Sequence, residues 1–241
     1  INLADDETLM QMMAAAGFGS VFIGIETPEE GSLAEAGKKQ NLKRDLIADI
    51  KKIQRAGIQV QGGFIVGFDH DTASTFHRMS DFIQKSGIVT AMVGLLQAPP
   101  GTQLYRKMQQ AGRLLERMSG DNVDGTTNII PVMNLEALKE GYRNILQYLY
   151  SPENYYQRIR TFLREYRPPK IKMRIPFKDI MGYILAFLRS VFRLGIVGKE
   201  RKQYWKLFFW TLFSRPKTLP LAVTLMIYGY HFRRIIEMRV M

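Results

Sequence analysis

Three apolar runs in this sequence each end in a polar group that could do chemistry. Val21-Phe22-Ile23-Gly24-Ile25 delivers Glu26, Gln61–Phe68 delivers Asp69-His70-Asp71, and Val89–Leu96 delivers Gln97. A carboxylate or amide just past a buried strand sits where α/β barrels and open sheets build their sites. Glu26 is therefore a candidate for binding or acid–base work; its plainer role would be to cap the next turn or pair with Lys38 or Lys39. His70, between two carboxylates, is a candidate base. Gly62, Gly63 and Gly67 interrupt the second run. Glycine gives a strand no packing surface, so it marks close approach of a ligand or another backbone, or relief of crowding. Their spacing does not meet the dinucleotide-binding fingerprint at a helix start. The chain has no cysteine, which excludes disulfides and thiolate metal sites within it. With only His70, His77 and His231, a self-contained zinc or iron site is not expected either.

The elements that must position these groups alternate. Ile1-Asn2-Leu3 reads as a strand end, and Asp5 or Asp6 as the cap of a helix with Leu9, Met12, Met13 and Ala16 on its buried stripe. Gly17 or Gly19 stops that helix, and the strand Val21–Ile25 follows. After a long loop over Pro28–Gln40, Asn41 would cap a helix Leu42–Ala56 with apolar positions Leu46, Ile47, Ile50 and Ile53 at helical spacing. Gly57 would end it. The strand Ile58–Val66, a helix Ala73–Lys85 capped by Asp71 or Thr72, Gly87, the strand Val89–Leu96 and a short helix from Leu104 complete the series. Strand–helix alternation of this kind predicts right-handed parallel βαβ units.

Gly120–Pro131 is polar and turn-rich, long enough for a lid, a partner surface or a cover on the barrel's end. Asn134 caps a helix through Tyr148. Ser151-Pro152 starts another, decorated by Arg158, Arg160 and Arg164, with Tyr148, Tyr150, Tyr155 and Tyr156 clustered at the junction. Arg167-Pro168-Pro169-Lys170 marks a boundary, beyond which Ile180–Leu194, Lys199–Phe213 and Leu219–Met238 have helical length. Net charge changes at that boundary: from Arg167 onward there are 16 Lys and Arg against 3 Asp and Glu, while the first 166 residues are close to neutral. A neutral body with a basic, aromatic tail suggests an anionic membrane surface as partner. Nucleic acid is not expected, since the aromatics lie in helical stripes rather than on a sheet platform. Trp205, Phe208, Phe209 and Trp210 beside Lys202 and Lys206 read as an interfacial helix or as a cap packed on the body. The charge-free stretches Ile180–Leu188 and Thr218–Phe232 are too short or too polar to predict a spanning helix.

On these residues the chain resembles the C-terminal half of a radical S-adenosylmethionine enzyme of the class that carries an N-terminal cobalamin-binding domain. Gly63-x-Ile65-x-Gly67 resembles the family's fifth-strand motif, Gly-x-Ile-x-Gly-x-x-Glu, and Phe22-Ile-Gly-Ile-Glu26 its fourth strand. Leu96–Tyr105, with Pro-Pro-Gly-Thr-x-Leu-Tyr, resembles the sixth-strand end. Gly120–Pro131 and Tyr150–Arg158 resemble the accessory domain of the hopanoid C-2 methylase group. The motif's final Glu is His70 here, and the Cys-x3-Cys-x2-Cys motif is absent.

The resemblance implies an α/β fold: the C-terminal half of a (β/α) partial TIM barrel over 1–118, an accessory loop and helices over 119–168, and a basic helical tail over 169–241. It implies S-adenosylmethionine cleaved at a [4Fe–4S] cluster to modify an unactivated carbon, with cobalamin as a source of methyl groups and a lipid-like or small-molecule substrate. Glu26 would hold the ribose side, Gly63, Ile65 and Gly67 the adenine side, and Gln97 would line the substrate side without motif support. The cluster ligands and the cobalamin domain would lie outside this chain, leaving it inert alone. Its opening on Ile1 suggests a piece of a longer protein, in the cytoplasm and peripheral on the inner face of the membrane. Two other readings stay open: a non-radical (β/α)8 enzyme using Glu26 and Asp69, and a non-catalytic membrane-associated scaffold.

Overall fold

The computed structural model describes residues 1–115, 125–169 and 177–239. The expected limit at 118/119, residues 120–124 of the polar loop and Lys170 of the Pro-Pro boundary lie outside the described residues.

Three parallel strands, β1 (Ser20–Glu26), β2 (Gln59–Val66) and β3 (Ala91–Leu95), form one sheet in sequence order. Crossover helices join them: α1 (Glu7–Ala15) precedes β1, α2 (Glu30–Glu35) and α3 (Leu46–Arg55) lead to β2, and α4 (Ala73–Ser86) leads to β3. The chain is thus α/β with a small parallel sheet and a predominance of helix, as the strand–helix alternation predicts. After β3 come α5 (Gln103–Gln110), α6 (Leu135–Tyr150) and α7 (Pro152–Glu165). The tail folds as α8 (Phe177–Ser190), which runs into a π-helical turn over Val191–Val197, then α9 (Arg201–Ser214) and α10 (Leu219–Arg239).

Local capping explains most boundaries. Asp6 accepts from Leu9 N at 2.8 Å, Asn134 from Glu136 N and Ala137 N, and Ser151 caps α7 with Pro152 in its first turn. Thr72, rather than Asp71, caps α4 through a box with Thr75. Three expectations fail here. Ile1–Leu3 does not end a strand: Asn2–Asp5 is a 3₁₀ turn closed by Ala4 N to Ile1 O and Asp6 N to Leu3 O. Asn41 does not cap a helix from Leu42, because Asp45 accepts from Ala48 N and starts α3 at Leu46. Leu9 and Met12 are exposed, and Met10 and Ala14 are buried in their place, so the stripe on α1 is rotated by about one residue.

The two faces of the sheet differ. Val60, Gly62, Phe64 and Val66 of β2 point with Val93 and Leu95 into a buried core shared with α3, α4, α6 and α7. Gln61, Gly63 and Ile65 alternate onto the opposite face, beside Phe22 and Gly24 of β1 and Met92 and Gly94 of β3. Phe22 is 59 % exposed and Met92 44 %. Parallel sheets are normally covered on both faces; among the described residues this one is covered on one.

The tail packs back on the core. Tyr155 of α7 donates its hydroxyl to Leu225 O of α10 at 2.9 Å, and a Cβ on Gly229 would fall 2.1 Å from the Tyr155 ring, so only glycine permits this approach. Gly141 plays the same part for α6 against Phe76 of α4. Arg158 does not decorate the surface of α7. It is fully buried, donates to Leu149 O, Val89 O and Gln84 Oε1, and lies over the rings of Tyr150 and Tyr155. Its neighbours Tyr155, Ile159 and Phe162 show why: position 158 falls within the core-facing arc of α7, and carbonyls stand in for a counter-ion. Tyr148, expected among the clustered tyrosines, is 41 % exposed, while the other three are buried.

α9 packs on the body along one side and leaves Phe209 and Phe213 exposed on the other. Tyr204, Leu207 and Thr211 are buried, Trp205 donates to Gly195 O at 2.9 Å, and aromatics surround its axis instead of forming one stripe. By contrast, Ile180–Val197 of α8 and its π-helical extension is long and apolar enough to cross a membrane and is only 17 % buried. It is the one such helix among the described residues. A count of charge-free residues misses it because Arg189 and Arg193 interrupt the run without ending the helix.

Candidate functional site at the strand ends

The C-terminal ends of the three strands open into a cavity of about 570 Å³. Glu26 of β1, Ile65 of β2 and Gln97 after β3 line it, so three of the five predicted site residues meet there. Gly63 lies one pleat below Ile65 on the same bare face, where a Cβ would meet the Phe22 ring at 2.9 Å. Gly67 faces the other way: its φ is +108°, and a Cβ would approach Leu138 of α6 at 3.2 Å. Glycine at 67 thus serves the turn out of β2.

Glu26 adopts a left-handed backbone, φ 68°, where β1 bulges between Gly24 and Glu26. Non-glycine residues held there carry about 1–3 kcal/mol of strain, and such strain collects at functional positions. The bulge turns the carboxylate back over Gly24, where a Cβ would stand 2.6 Å from Glu26 Oε1. Lys38 pairs with Glu26 Oε1 at 2.9 Å, the plainer role expected of this carboxylate, and it reaches Gly24 O at 3.4 Å.

The acidic cluster after β2 is divided between structural tasks. Asp71 is buried and accepts from Gly67 N at 2.8 Å, Phe68 N at 3.1 Å and Ser32 Oγ at 2.8 Å. Burial pushes its carboxyl above the usual carboxylate range, against those three hydrogen bonds. Asp69 forms a two-point pair with Arg113, 2.7 and 2.9 Å, which holds its carboxyl below the ordinary value. With both oxygens engaged by a guanidinium, Asp69 is poorly placed as the base of a hydrolytic site. His70 is exposed, stacks on Gly31 and meets Glu35 Oε2 through Nδ1 at 3.0 Å.

Glu35 is the residue that sequence reasoning missed. Its side chain is 8 % exposed and lines the cavity. Oε2 accepts from Asp69 N and His70, whereas Oε1 is buried without a partner. A buried acceptor left unmade costs about 1–3 kcal/mol, so Oε1 is a place for a donor from water or from a ligand in the cavity. No sequence signal exposes it, because α2 is six residues long inside a loop.

Gln97 Nε2 donates to Thr126 O, and the described part of the polar loop is fastened down around it. Asn128 exchanges two hydrogen bonds with the Ala98 backbone, both 2.8 Å, Thr127 donates to Leu96 O, and Leu114 bridges to Ile129. Residues 126–130 therefore extend the sheet's end as a cover. The wall is mixed in chemistry. Ile65, Phe68, Leu96 and Leu104 offer an apolar slot, while the carboxylates of Glu26 and Glu35 share the wall with Lys38, Lys107 and the amides of Gln97 and Gln103. Among the described residues no three His, Cys, Asp or Glu side chains group as a metal site, so none is assigned to an iron–sulfur cluster.

The model of the family described as "Domain of unknown function (DUF4070)" matches residues 102–240. An uncharacterized methyltransferase of Synechocystis is 33 % identical over 235 residues, covering 96 % of this chain and 43 % of that protein. The hopanoid C-2 methylase of Rhodopseudomonas palustris is 27 % identical over 86 % of this chain and 39 % of its own. A bacteriochlorophyllide d C-8(2)-methyltransferase of Chlorobaculum tepidum is 26 % identical over 46 % of this chain and 25 % of its own. The chain spans less than half the length of these relatives.

Proposed function

Because this chain belongs to the DUF4070 family, the C-terminal domain of B12-binding radical SAM methylases, we propose that it supplies one wall of the active site of a radical S-adenosylmethionine methyltransferase acting on a lipid-like substrate. The observation that carries this reading is the sheet face left bare by the described residues, which ends in a cavity of mixed apolar and charged lining. A parallel sheet uncovered on one side is unstable against water unless more chain completes it. The rest of a partial (β/α) barrel, from the portion of the longer relatives that this chain does not span, would do so. In this reading β1, β2 and β3 are consecutive barrel strands, and Phe22, Gly63 and Met92 face the barrel's interior.

S-adenosylmethionine, when bound, supplies the radical-forming and group-transfer chemistry together with a [4Fe–4S] cluster and cobalamin whose ligands lie outside this chain. The residues here bind and orient it. Glu26 accepts from the ribose hydroxyls, and its bulged backbone presents the carboxylate along the strand ends. Gly63 and Ile65 leave a flat floor on the adenine side, closed at its end by the turn at Gly67. Gln97, fastened to Thr126, borders the substrate side. Glu35 Oε1 accepts a further N–H or O–H of the cofactor.

In the full-length protein, Gly63→Val is expected to weaken S-adenosylmethionine binding at least tenfold in equilibrium dialysis, with the iron–sulfur absorbance retained. Unchanged binding would refute the assignment of this face.

The uncovered apolar surface of α8 favours a second element of the reading: peripheral attachment to the inner face of a membrane. Deleting the tail would strip the core, since α10 packs on α7. The cleaner test is flotation of the full-length protein with anionic liposomes, comparing it with a Leu185→Gln/Leu188→Gln/Phe192→Gln variant at three exposed positions. Equal flotation of the two would remove the attachment.

A further inference from the structure

A second cavity, about 520 Å³, lies between α7 and α9, away from the strand ends. Its wall holds two like-charged pairs at helical i,i+4 spacing, Arg160 with Arg164 on α7 and Lys202 with Lys206 on α9. Each pair weakens its own helix by repulsion, and the packing of α7 on α9 brings all four cations to one cleft. None of them forms an ion pair among the described residues, and the one carboxylate in the wall is Glu153. Arg160 is held by its face on the Trp210 ring, 4.7 Å to the centroid, rather than by an acceptor, and its Nε is buried without a partner.

The cleft also has a neutral donor. Tyr156 lines it and is 5 % exposed; its hydroxyl is buried without a hydrogen-bond partner between the cleft's wall and the Glu200–Arg233 ion pair. Burial, with the nearby Glu200 carboxylate, pushes that hydroxyl far above the usual phenol range, so it stays protonated. A buried donor without an acceptor and four cations without counter-ions share a single remedy, an anion with several oxygens. Guanidinium forks and ammonium groups around such a group give charge-assisted hydrogen bonds, about twice as strong as neutral ones.

We propose that the α7–α9 cleft is a binding site for a phosphate group, carried on a soluble phosphate ester or on a lipid headgroup. The volume exceeds that of a bare phosphate and leaves room for the organic part of an ester beside Leu207. The site is independent of the S-adenosylmethionine assignment: it shares no residue with the strand-end cavity.

The test uses the full-length protein at constant ionic strength in chloride. Inorganic phosphate and glycerol 1-phosphate are titrated by calorimetry, and binding to phosphatidylcholine vesicles, with or without phosphatidylglycerol, is followed by flotation. Two variants accompany it: Lys202→Gln/Lys206→Gln, which changes only exposed side chains, and Tyr156→Phe, which removes one oxygen. Saturable binding of the soluble phosphates, at least tenfold weaker in the lysine variant and several-fold weaker in Tyr156→Phe, assigns the site to a phosphate ester. Binding to phosphatidylglycerol vesicles alone, with the same two dependences, assigns it to a headgroup. The proposal is overturned by no binding of any probe, or by binding that both variants leave intact. It is equally overturned by binding that the lysine variant weakens and Tyr156→Phe does not, which marks general attraction to a basic surface.

Discussion

The two cavities differ in how their charges are settled. At the strand ends most ionic groups near the cavity already have partners: Glu26 with Lys38, Asp69 with Arg113, Glu35 with His70. What remains open there is one acceptor, Glu35 Oε1, above an apolar floor, with the Lys107 ammonium in the same wall. Between α7 and α9 the cations are unsettled and the open groups are donors. A buried acceptor left open suits a ligand N–H or O–H, and a cleft of clustered cations suits an oxyanion. The difference also separates two uses of charge in one chain. Around the turn after β2 ion pairs fix backbone, whereas between α7 and the tail like charges are held together by packing at a cost.

That contrast can be broken in three places. The largest effect is expected from Asp71→Ala, which strands two buried backbone N–H groups and the Ser32 hydroxyl. It should lower the stability of the full-length protein by about 3 kcal/mol in urea unfolding. Phosphate binding at the α7–α9 cleft, measured below the transition, should not change. A loss of both would mean that the two regions are not independent. Next, Glu35→Gln turns the spare acceptor into a donor. S-adenosylmethionine affinity should fall about tenfold in dialysis, the weight of one charge-assisted hydrogen bond. Unaltered affinity would leave the cavity without its defining group. The smallest effect belongs to Asp69→Asn, which removes a partly exposed pair worth about 1 kcal/mol. Its sign with pH is fixed. The folded carboxyl titrates below its unfolded value of about 3.9, so its contribution is full above that value. The contribution disappears as pH falls through the folded pKa. Unfolding curves of the two proteins should therefore differ at neutral pH and converge in acid.

The alternation of strands and helices was legible because each apolar run is bracketed by caps and glycines that act locally. Thr72, Asn134 and Ser151 do what their residue types dictate. The meeting of Glu26, Ile65 and Gln97 was legible too, since parallel strands align their ends. Arg158 was not. Whether an arginine on an amphipathic helix reaches water or core depends on the angle of its face, and α7 has helices on several sides. Glu35 was hidden because its importance arises from residues 34 and 35 positions away, Asp69 and His70, which a single sequence does not bring together. The tail's packing turned on Gly229, whose reason for being glycine is a tyrosine ring on another helix.

The backbone of Glu26 has a consequence for which substitutions the fold accepts. Its left-handed conformation, φ 68°, would be relaxed by glycine or asparagine, so the fold favours losing the carboxylate by about 1 kcal/mol. Stability and chemistry are opposed at that one position. Replacing Glu26 by glycine should therefore raise stability while removing the carboxylate from the cavity wall.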